Sequence, residues 1–275
     1  MLVHVVMTRF NLPTPGREAS HRERPGWLEE RFDLFERYCL PGMAAQTGQD
    51  FSWLVFFDEQ TPAWARERID AARRVRDFHP VYSGMFPSDG WARAVRSLIG
   101  APAAGRRVIT SNLDNDDALG LDALARVRRA AAAHDPGGRF AINLPDGYVL
   151  AGDSLFAHRH LHNAFTHLVE PDDDRLATTM TIRHMELFRH VPVIQAEGPG
   201  AWLQVVHGGN VSNKVRGRQV SKAEASRCFP AVIIAEVRDP GPLRALIEWI
   251  LLAPARSLRD RAFALARRLV PADRA

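Results

Sequence analysis

Short apolar runs alternate with amphipathic stretches through residue 113, and this alternation constrains the fold more than any other feature of the sequence. Leu2–Met7, Phe51–Phe57 and Arg107–Leu113 are strand-like runs of branched and aromatic residues. Between them, Leu28–Cys39 and Ala63–Arg74 place apolar residues at helical spacing. Strands that alternate with helices favour a mostly parallel sheet covered by helices. We therefore expect an α/β fold with a Rossmann-like sheet.

The rest of the chain predicts shorter strands, joined by Pro-Asp-Gly and Gly-Asp turns, and therefore a mixed-sheet second half. We expect residues 1–235 to form one domain and residues 236–275 to form a basic amphipathic helical tail, broken near Pro254. Pro41 and Gly42 are likewise expected to end the first helix. The strand-like runs in this half are Phe140–Leu144, Tyr148–Ala151, Leu155–His160 and Trp202–Val206.

The composition narrows the classes of protein. With 275 residues, 46% of them hydrophobic, the chain can bury a large core without covalent cross-links. Cys39 and Cys228 are the only cysteines and are far apart, which indicates neither a disulfide framework nor a cysteine zinc site. The N-terminus lacks the pattern of a signal peptide, and no run reaches the roughly 20 apolar residues of a membrane span. A cytoplasmic protein is expected.

Four consecutive polar residues, Asp114-Asn115-Asp116-Asp117, follow the strand-like run at 107–113. Open α/β sheets bind ligands beyond the carboxyl ends of their strands, so these carboxylates occupy a ligand-binding position. Their hard oxygen atoms suit Mg²⁺ or Mn²⁺, which would neutralise charge on a diphosphate. The alternative is that Asp116 or Asp117 caps a following helix, although a cap accounts for only one of the three acids.

The sequence resembles the bacterial rhamnosyltransferase family, glycosyltransferases of the GT-A type, over residues 2 to about 215. The resemblance implies a GT-A-like fold and transfer of a sugar from a nucleotide diphosphate, with a dTDP- or UDP-sugar as donor. Rhamnose is implied by the family name alone. The segments that carry the resemblance are Arg9-Phe10-Asn11, Phe51 to Asp58 with Thr61-Pro62, Leu113 to Leu119, and Trp202 to Gly208 with Asn210.

The same resemblance implies roles for individual residues. Asp58, at the end of the second strand, would meet the base or ribose of the donor, and an acid exposed to water is the alternative. Arg9 and Asn11 would contact the donor, although Arg9 also fits a surface ion pair. His207 would reach the metal or the diphosphate, or it is simply a hydrogen-bonded turn residue. Asn210 would close over the diphosphate within a mobile polar loop. Asp114, Asp116 and Asp117 would hold the metal, with Asp114 also facing the sugar or ribose.

An inverting transfer needs a carboxylate that removes the proton of the acceptor hydroxyl. Glu170 is the first candidate for this base, and Glu186 and Asp153 are the others. Each of the three also fits an acid on the surface. The acceptor expected from the family is a glycan or a lipid-linked molecule. Leu246 and Trp249, among the apolar residues of the arginine-rich tail, would allow a peripheral contact with the membrane.

Three other interpretations are weighed against this one. His158, His160 and His162 alternate at strand spacing, but their polar surroundings fit an exposed strand better than a zinc site. A magnesium-dependent phosphohydrolase of the haloacid dehalogenase type would place its nucleophilic acid after the first strand, where Arg9 stands. A protein that binds nucleic acid or an anionic surface would explain the net charge of +4, although most arginines fit solvated helix faces. No nucleic-acid partner is expected.

Overall fold

The computed structural model describes residues 1–13, 22, 24–84, 89–134, 137–182, 184–208, 215–256 and 258–259. Two sheets organise these residues. The strands are β1 (Leu2–Arg9), β2 (Ser52–Asp58), β3 (His79–Ser83), β4 (Arg107–Asn112), β5 (Ala118–Leu119), β6 (Phe140–Asn143), β7 (Asp146–Ala151), β8 (Ser154–Arg159), β9 (His167–Pro171), β10 (Val193–Gln195), β11 (Trp202–Val206) and β12 (Arg218–Val220).

The larger sheet has seven strands in the order β10-β6-β9-β4-β1-β2-β3. Strands β1 to β4 pair in parallel, with β1 between β4 and β2. Strand β9 runs antiparallel to both β4 and β6, which makes the sheet mixed on that side. The expected fold class is therefore confirmed as α/β, with a parallel-rich sheet, flanking helices and a mixed second half.

The smaller sheet has five strands in the order β12-β8-β7-β11-β5. Its two-residue strand β5 follows the acidic cluster directly and pairs antiparallel with β11, Ala118 opposite Leu203. Strand β11 in turn runs parallel to β7, which forms a hairpin with β8. Through β5, the second sheet is joined to the end of β4, so the ends of β4 and β11 meet.

Helices pack on the larger sheet through apolar side chains. Trp53 and Phe57 of β2 lie in one buried cluster with Phe32 and Phe35 of the first helix and Ile69 of the third. This cluster forms because both the strand and the helices present aromatic or branched residues on one side. The helices are α1 (Trp27–Leu34), α2 (Leu40–Ala44), α3 (Ala63–Val75), α4 (Gly90–Ile99), α5 (Ala123–Ala133), α6 (His184–His190), α7 (Lys222–Ala225) and α8 (Pro242–Ile247).

Two prolines expected to end helices lie inside them, so both of these expectations are wrong. A π-helical turn at Phe35–Cys39 joins α1 to α2, and the helix continues past Pro41 to Ala44. Another π-helical turn at Glu248–Leu252 follows α8, and helical backbone continues past Pro254. A proline ring clashes with the carbonyl four residues before it, and the wider π turn lies at that carbonyl in both helices. Each helix therefore accommodates its proline and continues beyond it.

A close contact between Gly147 and Trp202 joins β7 to β11. The indole of Trp202 is buried, stacks on Phe165 with ring centroids 5.1 Å apart, and donates its N–H to the carbonyl of Leu144 at 2.9 Å. A Cβ at position 147 would stand 2.1 Å from the indole ring. Only glycine leaves room there. The smaller sheet therefore packs tightly at β11, the strand that His207 follows.

The two-domain division at residue 235 stays a prediction, and residues 260–275 lie outside the described part of the chain. Within the described residues, no helix is both long enough and apolar enough to cross a bilayer.

Candidate active site

The carboxyl ends of the parallel strands gather most of the predicted polar residues at one edge of the larger sheet. Arg9 ends β1 opposite Phe56 of β2, and Asp58 ends β2 opposite Ser83 of β3. Asn112 ends β4 and is paired with Met7, so the acidic cluster that follows leaves from the same edge. Parallel strands share this edge, and open α/β sheets bind their ligands there.

Asp116 is the centre of the site. It is 7% exposed, and its Oδ2 accepts a hydrogen bond from Arg31 Nη1 at 2.9 Å and from His207 Nε2 at 2.8 Å. Burial opposes ionisation of this carboxyl, but the hydrogen bond from His207 and the charge of Arg31 outweigh it and lower its pKa. Arg31 also lies over the ring of Trp27, with 5.5 Å to the centroid. The site thus holds an ionised carboxylate between a guanidinium and an imidazole.

Asn115 and Asn11 tie the cluster to the neighbouring strands. The Asn115 amide donates to the carbonyl of Phe10 at 2.8 Å, which joins the turn after β4 to the end of β1. Asn11 accepts from the backbone N–H of Asp58 at 3.0 Å and donates to Thr61 at 3.2 Å. The sequence predicts Asn11 as a donor-binding residue, but both of its side-chain atoms serve the turn after β2. These contacts fix the position of Asp58.

Asp58 is half-buried, and its Oδ2 accepts a hydrogen bond from Arg22 Nη2 at 2.6 Å. Its Oδ1 accepts from the backbone N–H of Gln60 at 2.9 Å. The carboxylate is therefore oriented by a cation and by its own turn, which leaves it on the ligand-binding edge of the sheet. Arg22 could not be singled out from the sequence, because the basic run around it has no pattern that separates one arginine from the next.

Asp117 turns away from this edge, and the expectation that it caps a helix is wrong. A short strand, β5, comes directly after it, and helix α5 begins only after Asp122. The Oδ1 of Asp117 accepts from the backbone N–H of Val205 at 2.8 Å, which links the cluster to β11. Burial, together with the charges of Asp116 and Asp114, raises its pKa well above the ordinary value. This acid joins the two sheets.

The remaining predicted donor-site residues have different placements. Asp114 is half-buried at the start of the turn, and its carbonyl accepts from the N–H of Asp117 at 3.3 Å. Arg9 is half-buried at the end of β1. Both lie on the ligand-binding edge, as the sequence predicts. Asn210, the predicted loop residue, lies outside the described residues.

Glu170 is not at this edge, so the prediction that it is the catalytic base fails on position. It pairs in register with Val108, four residues, or about 13 Å, before the end of β4. The side chain is buried and accepts hydrogen bonds from the backbone N–H groups of Ala177 and Thr178, both at 3.0 Å. Arg139 completes its contacts at 2.8 Å. Glu170 therefore anchors the segment that follows β9.

Glu186 and Asp153 are the other carboxylates considered for the base. Glu186 is exposed in the first turn of α6, a helix that packs through Leu187 on β6 and β9. Asp153 lies in the turn after β7, and β7 ends beside β11, Ala151 opposite Val206. Since His207 follows Val206, Asp153 is the candidate that the topology brings to the His207 end of the smaller sheet.

The three alternating histidines do not form a metal site. The rings of His158 and His160 lie 5.6 Å apart, but His162 lies beyond the strand with its ring 4.8 Å from that of Phe188. Nor does the described part of the chain contain any group of three histidine, cysteine, aspartate or glutamate residues arranged to hold a metal ion.

The contact between Asp116 and His207 nevertheless fits a nucleotide-bound divalent cation. Magnesium in such sites is bound by one or two protein carboxylates, and substrate phosphates and water complete its octahedron. A carboxylate oxygen and an imidazole nitrogen 2.8 Å apart are close enough to be neighbouring ligands of one ion. Asp114, in the same turn, is the further oxygen donor. The sequence predicts three acids as metal ligands, but Asp117 bonds to β11, which leaves Asp114 and Asp116 for the ion.

Fold and site together define an α/β protein with a carboxylate-centred site at the carboxyl edge of its parallel strands. Residues 3–219 match the model of the family described as "Putative rhamnosyl transferase". The chain belongs to this family. No curated protein matches the sequence.

Several solved structures are similar to this chain at low sequence identity. The crystal structure of S. aureus TarS 1-349 has a TM-score of 0.42 and 10% identity, covering 74% of this chain and 60% of that chain. A nucleotide-diphospho-sugar transferase from Desulfovibrio desulfuricans G20, described as putative, has a TM-score of 0.35 and 13% identity, covering 73% and 82%. The inositol-1-phosphate CTP transferase from T. maritima has a TM-score of 0.35 and 7% identity, covering 76% and 92%. The present chain thus spans less than two thirds of the TarS chain.

Proposed function

We propose that the protein transfers a sugar from a nucleotide diphosphate donor, a dTDP- or UDP-sugar, to a glycan or lipid-linked acceptor. The observation that carries this proposal is the placement of Asp116, held by Arg31 and His207 at the carboxyl edge of the parallel strands. A donor diphosphate needs positive charge around its oxygens, and both partners of Asp116 can supply it. The family supports a sugar as the group transferred and suggests rhamnose.

The donor is oriented along the edge of the sheet in this proposal. Asp58, two strands from the acidic cluster, accepts hydrogen bonds from ribose hydroxyls or from a pyrimidine imide. Arg9, between them at the end of β1, binds a phosphate or the sugar. The order β4-β1-β2 supports this assignment, because it sets the diphosphate site and the nucleoside site on either side of Arg9.

Mn²⁺ or Mg²⁺ belongs to the same proposal, held by Asp116, His207 and Asp114. When bound, the ion neutralises charge that develops on the leaving diphosphate. Arg31 then keeps Asp116 ionised and oriented, whether or not the carboxylate also binds metal. Because Arg31 already brings a positive charge to the site, donor binding retains part of its strength after the metal is removed.

We further propose an inverting transfer with Asp153 as the residue that removes the proton of the acceptor hydroxyl. Asp153 is exposed and therefore accessible to an acceptor, and its carboxylate is 3.6 Å from Arg238. Its position after β7 supports this role, since β7 ends next to the strand that leads to His207.

A donor panel tests the proposed function. Purified protein is mixed with dTDP- and UDP-sugars, with and without Mn²⁺ or Mg²⁺, and its melting temperature and sugar release are measured. A donor at a hundred times its dissociation constant stabilises the fold by about 2.7 kcal/mol. The shift and the turnover should both disappear in Asp116→Asn and persist in Asp174→Asn, an exposed acid. Absence of a shift with every donor, or an unaffected Asp116→Asn variant, would refute the proposal.

A further inference from the structure

The tail helix contacts the rest of the domain through its charged side chains. Glu248 is 3% exposed, although it lies on a surface helix, and its Oε1 accepts from the backbone N–H of Gln219 at 2.8 Å. Arg244 Nε donates to the side chain of the same glutamine at 3.2 Å. Arg256 contacts Glu248 and lies over the ring of Phe156, 5.2 Å from its centroid. The inward side of this helix is therefore polar.

The other side of the same helix is apolar and faces outward. Trp249 is 71% exposed and Leu243 is 70% exposed, which are high values for residues of this type. Around the helix, the charged residues that bond to the domain occupy one side, while most of the exposed apolar residues fall on the opposite side. The exposed large apolar residues of the tail are Leu243, Leu246, Ile247, Trp249, Ile250, Leu251, Leu252 and Leu258.

This arrangement is the reverse of an ordinary surface helix, which turns its apolar stripe to the core and its charges to water. The reversed orientation of this helix exposes a contiguous apolar surface. Buried ion-pair contacts hold the helix on the domain. Exposed apolar patches of this kind mark surfaces that bind another molecule or a membrane. The outward face is therefore a surface suited to docking.

We infer that the partner of this face is the surface of a bilayer that contains anionic lipid. From residue 242 to residue 275 the sequence has seven arginines and three acids; Arg244, Arg256 and Arg259 bond to the domain, and the other four arginines give the segment its excess of positive charge. An apolar face with tryptophan and leucine, joined to a cationic helix, binds at the boundary between headgroups and acyl chains. Each basic residue near such a surface adds attraction to anionic headgroups. A bilayer thus satisfies both the apolar face and the charge.

The tail is also bound to the segment from Val215 to Gln219. Arg259 donates to the carbonyl of Val215 at 3.0 Å, and Arg256 Nε donates to that of Gly217 at 2.9 Å. Together with the hydrogen bond from Gln219 to Glu248, these contacts link the helix to residues 215, 217 and 219. Val215 stands eight positions after His207 in the sequence. Docking of the tail would therefore hold the catalytic edge near a lipid-linked acceptor, a consequence that rests on the proposed function.

Flotation of the full chain with vesicles tests the docking itself. Vesicles of phosphatidylcholine alone are compared with vesicles that also contain phosphatidylglycerol. The test variant replaces Leu243, Leu246 and Trp249 by glutamine. The matched control replaces three exposed apolar residues elsewhere, Val75, Leu161 and Val232, by glutamine. Circular dichroism and melting temperature confirm that each variant is folded.

The native chain and the control should float with the anionic vesicles and much less with neutral ones. The tail variant should lose at least about tenfold in partitioning, since three apolar side chains no longer leave water. Equal flotation of the tail variant would overturn the inference, and so would no flotation of the native chain. The inference would also be overturned if the native chain is a dimer that does not bind lipid and the tail substitutions convert it to a monomer. A second copy of the chain would then cover the apolar face. Flotation involves no donor, so its outcome is separate from that of the donor panel.

Discussion

The imidazole Nε2 of His207 lies 2.8 Å from Oδ2 of Asp116, 91 positions earlier in the chain. The contact joins the end of β11, in the smaller sheet, to the turn after β4, in the larger one. Asp117, the next residue, repeats the connection through the backbone N–H of Val205. One side of the cluster thus faces the ligand-binding edge and the other holds the two sheets together.

His207→Ala should shift the acid limit of stability to higher pH. The pKa of Asp116 is lowered in the fold, so this carboxylate stabilises the protein above its unfolded pKa, and the stabilisation is lost as pH falls through the folded value. Burial already opposes ionisation, and removal of the His207 hydrogen bond brings the folded pKa upward. Melting temperatures between about pH 3 and pH 6 measure the change. His79→Ala, at an exposed position, should leave the profile unchanged.

Asp117→Asn should stabilise the fold at neutral pH. The pKa of Asp117 is raised by burial and by Asp116 and Asp114, so the folded state favours its proton and loses stability as pH rises above the unfolded pKa. Asparagine keeps an oxygen for Val205 and removes the charge. Relief of about 1 kcal/mol would raise the melting temperature by roughly 2–4 °C. A variant that melts lower at pH 7 and higher at pH 4 would contradict this sign.

Glu170→Gln separates a structural role from a catalytic one. Glutamine offers only one oxygen to the two N–H groups of Ala177 and Thr178 and loses the ion pair with Arg139, so unfolding should become easier by about 1–3 kcal/mol. Turnover per folded molecule should stay within a few-fold of native. Urea unfolding and kcat are measured on the same preparation. A hundredfold loss of kcat at unchanged stability would restore Glu170 as the base.

The alternation of strands and helices up to β4 follows from the sequence, because continuous apolar runs and helical spacing leave little choice of element. The helix ends expected at Pro41 and Pro254 are wrong because a π turn accommodates each proline. A π turn depends on the path of the chain and has no characteristic amino-acid composition. Glu170 misleads for a related reason. Its segment, β9, is an antiparallel strand of five residues with a buried acid, and its register places that acid far from the cluster.

Arg31, like Arg22, is a residue of the site that the sequence could not indicate. Arg31 falls in a helix with several other charged residues, and the spacing of these residues does not distinguish it from Arg37. Only the tertiary path of α1 across the carboxyl edge brings it to Asp116, while Arg37 pairs with Glu236 at the surface. The acidic cluster, by contrast, was recognisable because three acids after an apolar strand are costly without a ligand or partner.

Gly147→Ala should destabilise the protein by about 2 kcal/mol or more, because its Cβ would stand 2.1 Å from the Trp202 indole and the ring is held by stacking and by its N–H. Denaturant unfolding gives the change. Gly138→Ala is the matched control, since nothing lies within 4 Å of a Cβ at that position. Equal stability of the two variants would show that the indole can move aside.

Glu248→Ala should release the tail without unfolding the domain. The substitution leaves the N–H of Gln219 and the guanidinium of Arg256 without their carboxylate, and loss of a buried acceptor costs about 1–3 kcal/mol, more when a charge is involved. The cost falls on the contacts that hold the helix to residues 217–219, so the helix should detach before the sheets unfold. Amide hydrogen exchange at residues 215–220 should accelerate, while exchange in β1 and β4 stays as in the native chain. Glu236→Ala, which removes an exposed acid, should change neither region. Global acceleration in the Glu248 variant would instead mean that the tail and the sheets unfold as one unit.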